Sequence, residues 1–277
     1  MEEQLHKCKI AALLTCFNRK AYTLTCLQTL RKNKLCEFCF VVTDDDSTDG
    51  TAGAIAQMED VVLLSGDGKL YWNGGMQKSF AYALEHIEEF DYVMLVNDDV
   101  GFYPEAIDAL VLRSKETNAP VVVGSTCNKK GEMTYGGVRK KSNVFAKFAL
   151  IPPSKEATEC DTFNGNCVLI KKDAFQAVGN LDPAYTHSMS DYDYGMTLRR
   201  KGYRIVNAKH HVGVCEDNDT TGSWLDTSLP RKERRRLKEG PKGLPGKDWF
   251  HFVKKNYGLF PALYHSLTPY VRILLGK

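Results

Sequence analysis

Two adjacent carboxylates, Asp98 and Asp99, close an apolar run and are well placed in this 277-residue chain to do chemistry. The run, Tyr92 to Val96, is continuous and bounded by polar turn residues, which predicts a buried strand of a parallel sheet. Asn97, Asp98 and Asp99 then stand at its carboxyl end, the edge where open α/β sheets bind ligands. Neighbouring carboxylates repel unless a cation or hydrogen-bond donors separate them, and hard cations such as Mg²⁺ take oxygen ligands that they share with phosphates. The pair therefore points to a divalent metal and a diphosphate. Asp and Asn also favour turns on their own account, so a plain strand-to-turn junction explains the same residues.

The elements that must position this pair form a regular series. Lys9 to Thr15 is an apolar run of strand length, followed by a helical stretch from Ala21 to Lys32. A second strand, Phe38 to Thr43, ends in Asp44 and Asp45, where Ser47 or Thr48 is placed to cap a helix running through Ile55 and Met58. Val61 to Leu64 is a third strand, and a helix from Gly75 to Glu89 leads into Tyr92 to Val96. Four β-α units with short connections predict a parallel sheet covered by helices on both faces. Three strand ends, at Thr15 to Asn18, at Asp44 and Asp45, and at Asn97 to Asp99, then share one edge and line one crevice. There is no GxGxxG after the first strand and no GxxxxGK[ST], which disfavours dinucleotide and P-loop phosphate binding and favours phosphate held through a metal.

Further along, a helix from Glu105 to Thr117 precedes a strand from Pro120 to Gly124, and Cys127 to Asn143 reads as Gly- and Lys-rich turns. Thr162 to Ile170 is strand-like, Asp173 to Val178 a short helix, Ser190 to Lys201 a helix, and Ile205 to Asn207 a strand. The net charge of +3 conceals an asymmetry: residues 231–277 hold 12 Lys+Arg against 3 Asp+Glu, while residues 1–230 hold 25 against 31. An acidic body with a basic tail fits an anionic membrane surface or a phosphate-bearing acceptor better than nucleic acid. The amino-terminal residues lack an apolar core, so no secretory signal is expected, and no stretch is long and apolar enough to predict a spanning helix. Nine cysteines scattered through apolar segments predict reduced, buried thiols in a cytoplasmic protein. The single Cys36-x-x-Cys39 pair lacks a second one, which argues against zinc or redox chemistry.

The succession TCFNR (Thr15 to Arg19), VTDDDSTDGT (Val42 to Thr51), VNDDV (Val96 to Val100), FNGNCVLIKKDAFQAVGNLD (Phe163 to Asp182) and SDYDYGMTLRRKGYRI (Ser190 to Ile205) resembles the family 2 glycosyltransferases of the GT-A fold. The likeness is nearest to the bacterial rhamnosyltransferase-like branch and covers roughly residues 8 to 215. It implies an α/β domain over residues 1–216 with a Rossmann-like, mostly parallel sheet, in which 1–100 is the nucleotide-binding half and 101–216 the acceptor half. A helical, basic extension over 217–277 follows. It also implies inverting transfer of a sugar from a nucleoside diphosphate to an acceptor hydroxyl, assisted by Mn²⁺ or Mg²⁺, in bacterial surface polysaccharide synthesis. By motif position, Thr15, Phe17 and Arg19 would edge the nucleotide pocket and Asp44 or Asp45 would bond the base. Asp98 and Asp99 match the DxD-type element, with Asp99 as metal ligand, and Asp191 matches the catalytic base.

Inversion needs a group that takes the acceptor proton opposite the leaving diphosphate, and a carboxylate at a helix start can serve. Asp191 and Asp193 would equally charge and cap a first helical turn. Ser190 stands where the family usually has Glu. The family's metal-binding His has no clear counterpart: His211 is a candidate, while Cys215 falls nearer the expected place. Leu70 to Gly75 precedes a helix, so its amides, Gly75 included, could face the donor's phosphates, and Trp72 could stack on a base or sugar or anchor the core. In the tail, Arg231 to Lys238 leads into amphipathic segments that suit a lipid-linked saccharide on the inner leaflet, or a charged helix packed on the domain. Two rival functions are a sugar-phosphate nucleotidyltransferase, for which no glycine-rich, Arg/Lys-bearing loop follows the first strand, and a nucleotide-sugar-binding scaffold without turnover.

Overall fold

The computed structural model describes residues 7–217 and 220–277; the amino-terminal residues read for a signal lie outside these up to position 6. The chain runs β1 (Cys8–Cys16), α1 (Lys20–Leu30), β2 (Cys36–Asp44), α2 (Thr51–Ile55), β3 (Val61–Ser65), α3 (Tyr71–Glu85), β4 (Tyr92–Val96), β5 (Gly101–Phe102), α4 (Ala106–Thr117) and β6 (Val121–Cys127). It continues with β7 (Gly137–Lys140), β8 (Phe148–Ile151), β9 (Thr162–Phe163), β10 (Cys167–Lys171), α5 (Lys172–Val178), α6 (Ser190–Arg200) and β11 (Ile205–Val214), then α7 (Arg231–Glu239), α8 (Gly246–Tyr257) and α9 (Leu259–Leu274).

Eight strands form the central sheet in the order β3-β2-β1-β4-β10-β6-β11-β5. The first four are parallel, β10 runs antiparallel between β4 and β6, and β5 pairs antiparallel with β11. Buried strands sandwiched between helices need apolar residues on both faces. In β1 the alternation divides the core: Ile10, Ala12 and Leu14 pack with α1 and α4 on one face, while Ala11 and Leu13 pack with α3, α5 and α6 on the other. Cys36 and Cys39, three residues apart on β2, fall on these opposite faces and cannot converge on one ion.

The structure departs from the sequence expectations at several points. The segment read as turns contains β7, which joins β8 and β9 in a separate three-stranded antiparallel sheet. The strand-like stretch 162–170 divides into β9 and β10 around Asn164, Gly165 and Asn166. β11 extends to Val214 through register shifts between Asn207 and Gly213, so its strict alternation is lost. Ser47 and Thr48 do not cap α2: Ser47 Oγ accepts the Asn18 N–H at 2.9 Å, and Asp49 Oδ1 accepts the Thr51 N–H at 3.0 Å instead. Helix α3 begins at Tyr71, four residues before the expected start, because the amides of its first turn find acceptors outside the helix.

The extension packs on the body. A third cluster joins Trp249, Phe252, Val253 and Ala262 to Tyr185 and Met196. Lys255 Nζ bridges Asp182 at 2.7 Å and Asp193 at 2.6 Å, pinning α8 to α6. Arg234 and Lys238 of α7 are buried: the guanidinium donates to the Trp224 and Lys277 carbonyls, and the Lys238 ammonium lies over the Tyr270 ring at 4.2 Å. Among the described residues, no helix is long and apolar enough to cross a membrane.

Candidate active site

Two adjoining cavities open at the carboxyl edge of β1, β2 and β4. One, about 230 Å³, is lined by Thr15, Phe17, Arg19, Asp45, Asp98 and Lys242 among others. The second, about 270 Å³, is lined by Asn164, Gly165, Asp191, Tyr192 and Cys215 among others. Trp72, Asn97, Asp99 and His187 line both, so the two cavities share a wall.

The acidic pair follows β4 directly. Asp98 is buried, and Arg19 Nη1 lies 3.2 Å from its Oδ1 and 2.8 Å from Asp99 Oδ2. Thr23 also donates to Asp98, at 3.3 Å. Burial pushes the Asp98 carboxyl up to about 6 against the pull of Arg19, with Asp99 adding to the rise. On its other side, Asp99 Oδ1 accepts from the Cys215 thiol at 3.5 Å. Burial and the Asp99 charge both push that thiol up, so it stays protonated and donates.

The strand ends are stapled to one another. Asp45 Oδ1 accepts the Gly68 N–H at 2.9 Å, and its Oδ2 accepts the amides of Leu70 at 3.0 Å and Tyr71 at 3.2 Å. The first-turn amides of α3 expected to face phosphate are therefore taken by Asp45 and, at Trp72, by His187 Nδ1 at 3.3 Å. Burial holds the His187 imidazole down to about 4, with Lys242 and Arg19 adding to the effect, so the neutral ring accepts this bond. Trp72 Nε1–H donates to Asn97 Oδ1 at 2.9 Å, fixing the indole as the partition between the cavities. A Cβ at Gly165 would sit 2.9 Å from Trp72 Cζ2, so the bare glycine lets the backbone approach the ring.

Asp191 opens the first turn of α6. Its Oδ2 accepts the Gly165 N–H at 3.0 Å and its Oδ1 the Tyr192 N–H at 2.8 Å. Among the described residues no cation pairs with it. Burial pushes its carboxyl up to about 6, and the two amides only moderate the rise. Such a carboxylate, ionised at neutral pH and able to take a proton, has the properties of a general base.

Thr15, Phe17, Arg19, Asp45, Trp72, Asp98, Asp99 and Asp191 thus come together around the joined cavities. Asp44, Gly75 and His211 line neither. Asp44 is turned back into its own corner, accepting the Ser47 N–H at 2.8 Å and the Cys16 thiol at 3.4 Å. Gly75 is packed against Thr15, where an added Cβ would collide with Thr15 Oγ1 at 2.1 Å. His211 pairs with Ser125 across the sheet, and its buried Nδ1 finds no hydrogen-bond partner among the described residues. Lys242, His187, Tyr192 and the Asn164 to Asn166 corner carry no sequence signal of a site, since they lie in turn-rich segments or helix starts whose placement depends on packing. Lys242 comes from the extension, so the tail completes the first cavity.

Among the described residues, no group of three or more His, Cys, Asp or Glu converges to hold an ion alone. Two carboxylates at a strand end do fit a hard cation whose shell is completed by phosphate oxygens. Arg19, half exposed, supplies the countercharge in this structure and would have to yield to such an ion.

Solved structures share this architecture. The Pyrobaculum calidifontis mannosyltransferase PcManGT, in complex with GDP-Man and Mn²⁺, matches with a TM-score of 0.58 at 15% identity, over 98% of this chain and 75% of that one. TarS 1-349 of S. aureus, in complex with UDP-GlcNAc, matches with a TM-score of 0.59 at 14% identity, over 96% and 90%. Both likenesses speak for the fold, the GT-A arrangement of a curled sheet flanked by helices. In sequence, the N-acetylglucosaminyl-diphospho-decaprenol L-rhamnosyltransferase of Mycobacterium tuberculosis H37Rv is 24% identical over 191 residues, covering 60% of this chain and 62% of that protein's length. The model of glycosyl transferase family 2 matches residues 12–179, well over half of the chain, and with the acidic strand ends gathered at one edge the chain belongs to that family.

Proposed function

We propose that this chain transfers a sugar, with inversion, from a nucleoside diphosphate sugar to an acceptor hydroxyl. The observation that carries this is the adjacency of the two cavities: Asp99 lines both, together with Trp72, Asn97 and His187, and Asp191 faces it across the second. The nucleoside diphosphate takes the first cavity, with Phe17 at its rim and Arg19 and Lys242 facing the phosphates. The acceptor takes the second. Asp191 removes the proton from the acceptor hydroxyl as its oxygen bonds to the anomeric carbon; the bond from that carbon to the diphosphate breaks, and its electron pair leaves with the diphosphate. Asp99, with Asp98, would hold Mn²⁺ or Mg²⁺, which supplies charge neutralisation on the departing diphosphate. Arg19 and Lys242 give the same oxygens fixed positive charge.

A lipid-linked saccharide is the acceptor class this reading favours, supported by the lipid diphosphate in the name of the mycobacterial relative. Bacterial surface polysaccharide synthesis at the cytoplasmic face of the membrane is the setting that goes with it, and residues 231–277 are the segment through which the inner leaflet would be met. Incubation with UDP-, dTDP- and GDP-sugars and Mn²⁺ tests the chemistry: one donor should slowly release nucleoside diphosphate, and Asp191→Asn should abolish release. If wild type and variant both bind donor and neither hydrolyses nor transfers it, the chain is a binding scaffold and the proposal fails.

A further inference from the structure

We propose that the outer face of α9 and the tip of the β7-β8 hairpin form one docking surface for an anionic lipid bilayer. From Leu259 to Val271 the sequence contains no Lys, Arg, Asp or Glu. Ala262, His265, Pro269 and Ile273 on one side of the helix are buried. On the other side Phe260, Leu263, Tyr264, Leu267, Val271 and Leu274 recur at helical spacing, each at least 50% exposed and Phe260 86%. A water-facing helix ordinarily turns charge outward, and a contiguous apolar face of about four turns marks an interaction surface.

The hairpin extends this face from a distant part of the chain. Val144 and Phe145, both exposed, stand at its tip, and the Phe145 ring meets Tyr264 edge-on at 5.4 Å. The Ala146 N–H donates to His265 Nε2 at 3.1 Å, so hairpin and helix are joined. Cations rim the apolar surface. Arg139, Lys141 and Lys147 are exposed on the hairpin, while Arg272 and Lys277 border a shallow groove at the far end of α9. Neither residues 137–151 nor residues 259–277 contain an acidic side chain.

An apolar face whose own helix and hairpin carry cations and no acidic side chain complements a layer of acyl chains beneath anionic headgroups. A second copy of the chain is a poorer fit, because a two-fold contact through this face brings the same cationic rim against itself. The surface also adjoins the Asp191 side of the cleft: Phe148 of β8 packs edge-on against Tyr192, the neighbour of Asp191, at 5.0 Å. An acceptor carried by the bilayer would be presented there. That last link rests on the sugar-transfer proposal; the affinity for lipid does not.

Sedimentation of the full chain with vesicles of phosphatidylcholine, with or without phosphatidylglycerol, tests the surface. Wild type should sediment with the anionic vesicles and about tenfold more weakly with the neutral ones. Leu267→Asp should lower binding by about tenfold or more, while the doubly substituted Lys141→Glu, Lys147→Glu chain should lose the preference for anionic lipid. Leu267 is 65% exposed, so its variant should keep the wild-type melting temperature and donor hydrolysis. Wild type remaining in the supernatant with both vesicles overturns the proposal. So does a concentration-dependent dimer in the ultracentrifuge that Leu267→Asp dissolves, since the face then belongs to a second copy. Vesicle binding that survives Asp191→Asn, together with hydrolysis that survives Leu267→Asp, separates failure of this surface from failure of the chemistry.

Discussion

The cavity floored by Asp98 and Asp99 and the cavity walled by Asp191 each contain a carboxyl that burial has pushed up to about 6, yet the two are held differently. Asp98 faces the Arg19 guanidinium, and Lys242 lines the same space, so the first cavity is organised around fixed opposite charges. Among the described residues Asp191 is met only by the backbone amides of Gly165 and Tyr192, so on the proposed reading no charged group competes for the proton it would take. On the proposed reading, similar desolvation serves different ends: where a cation is supplied the carboxylate would manage charge, and where none is supplied it would be left free to act as a base.

Substitutions on either side break that comparison in distinguishable ways. The largest effect is expected at Asp191→Asn, which should lower turnover by about 10³-fold with donor dissociation unchanged, as measured by single-turnover kinetics and calorimetry. Lys242→Ala should do the reverse, weakening donor binding by about tenfold, roughly 1.4 kcal/mol, with a smaller effect on turnover at saturating donor. The pH profile sharpens the contrast. Turnover should rise with pH through about 6 as Asp191 ionises, and at pH 5 it should be about tenfold below its plateau. Stability should move the opposite way. Between its ordinary value and about 6 the folded chain holds the Asp191 proton more firmly than the unfolded chain does, so this group's contribution falls as pH rises through that window. Asp191→Asn removes this group's share of the dependence and leaves that of Asp98, whose carboxyl is raised to the same value, so the slope of stability against pH should shrink, and at pH 7 the variant should melt no lower than wild type.

Much of the first cavity is legible in the sequence because β1, β2 and β4 are buried on both faces and announce themselves as unbroken apolar runs, with their polar ends at one edge. The second cavity is harder to read. Its walls come from two-residue β9, the Asn164 to Asn166 corner and the start of α6, pieces too short to show a period. His187 and Lys242 carry no local signal of their roles. Their place depends on packing between α6 and α8, including the bridges from Lys255 to Asp182 and Asp193, which join residues 62 and 73 positions apart. His211 illustrates the converse: its type suggested a metal ligand, but register shifts in β11 mean that alternation does not fix its direction, and Cys215 stands beside Asp99 instead.

The three backbone amides gathered by Asp45 carry a consequence for attempts to re-engineer donor preference. That carboxylate is a rivet through the corner at residues 66–71, where an added Cβ at Gly66 would strike Asp45 Oδ1 at 2.4 Å. Exchanging Asp45 for another side chain would loosen the scaffold before it altered which base is chosen. Altered preference is better sought at Phe17, whose ring stands clear of the frame and whose replacement leaves those amides engaged.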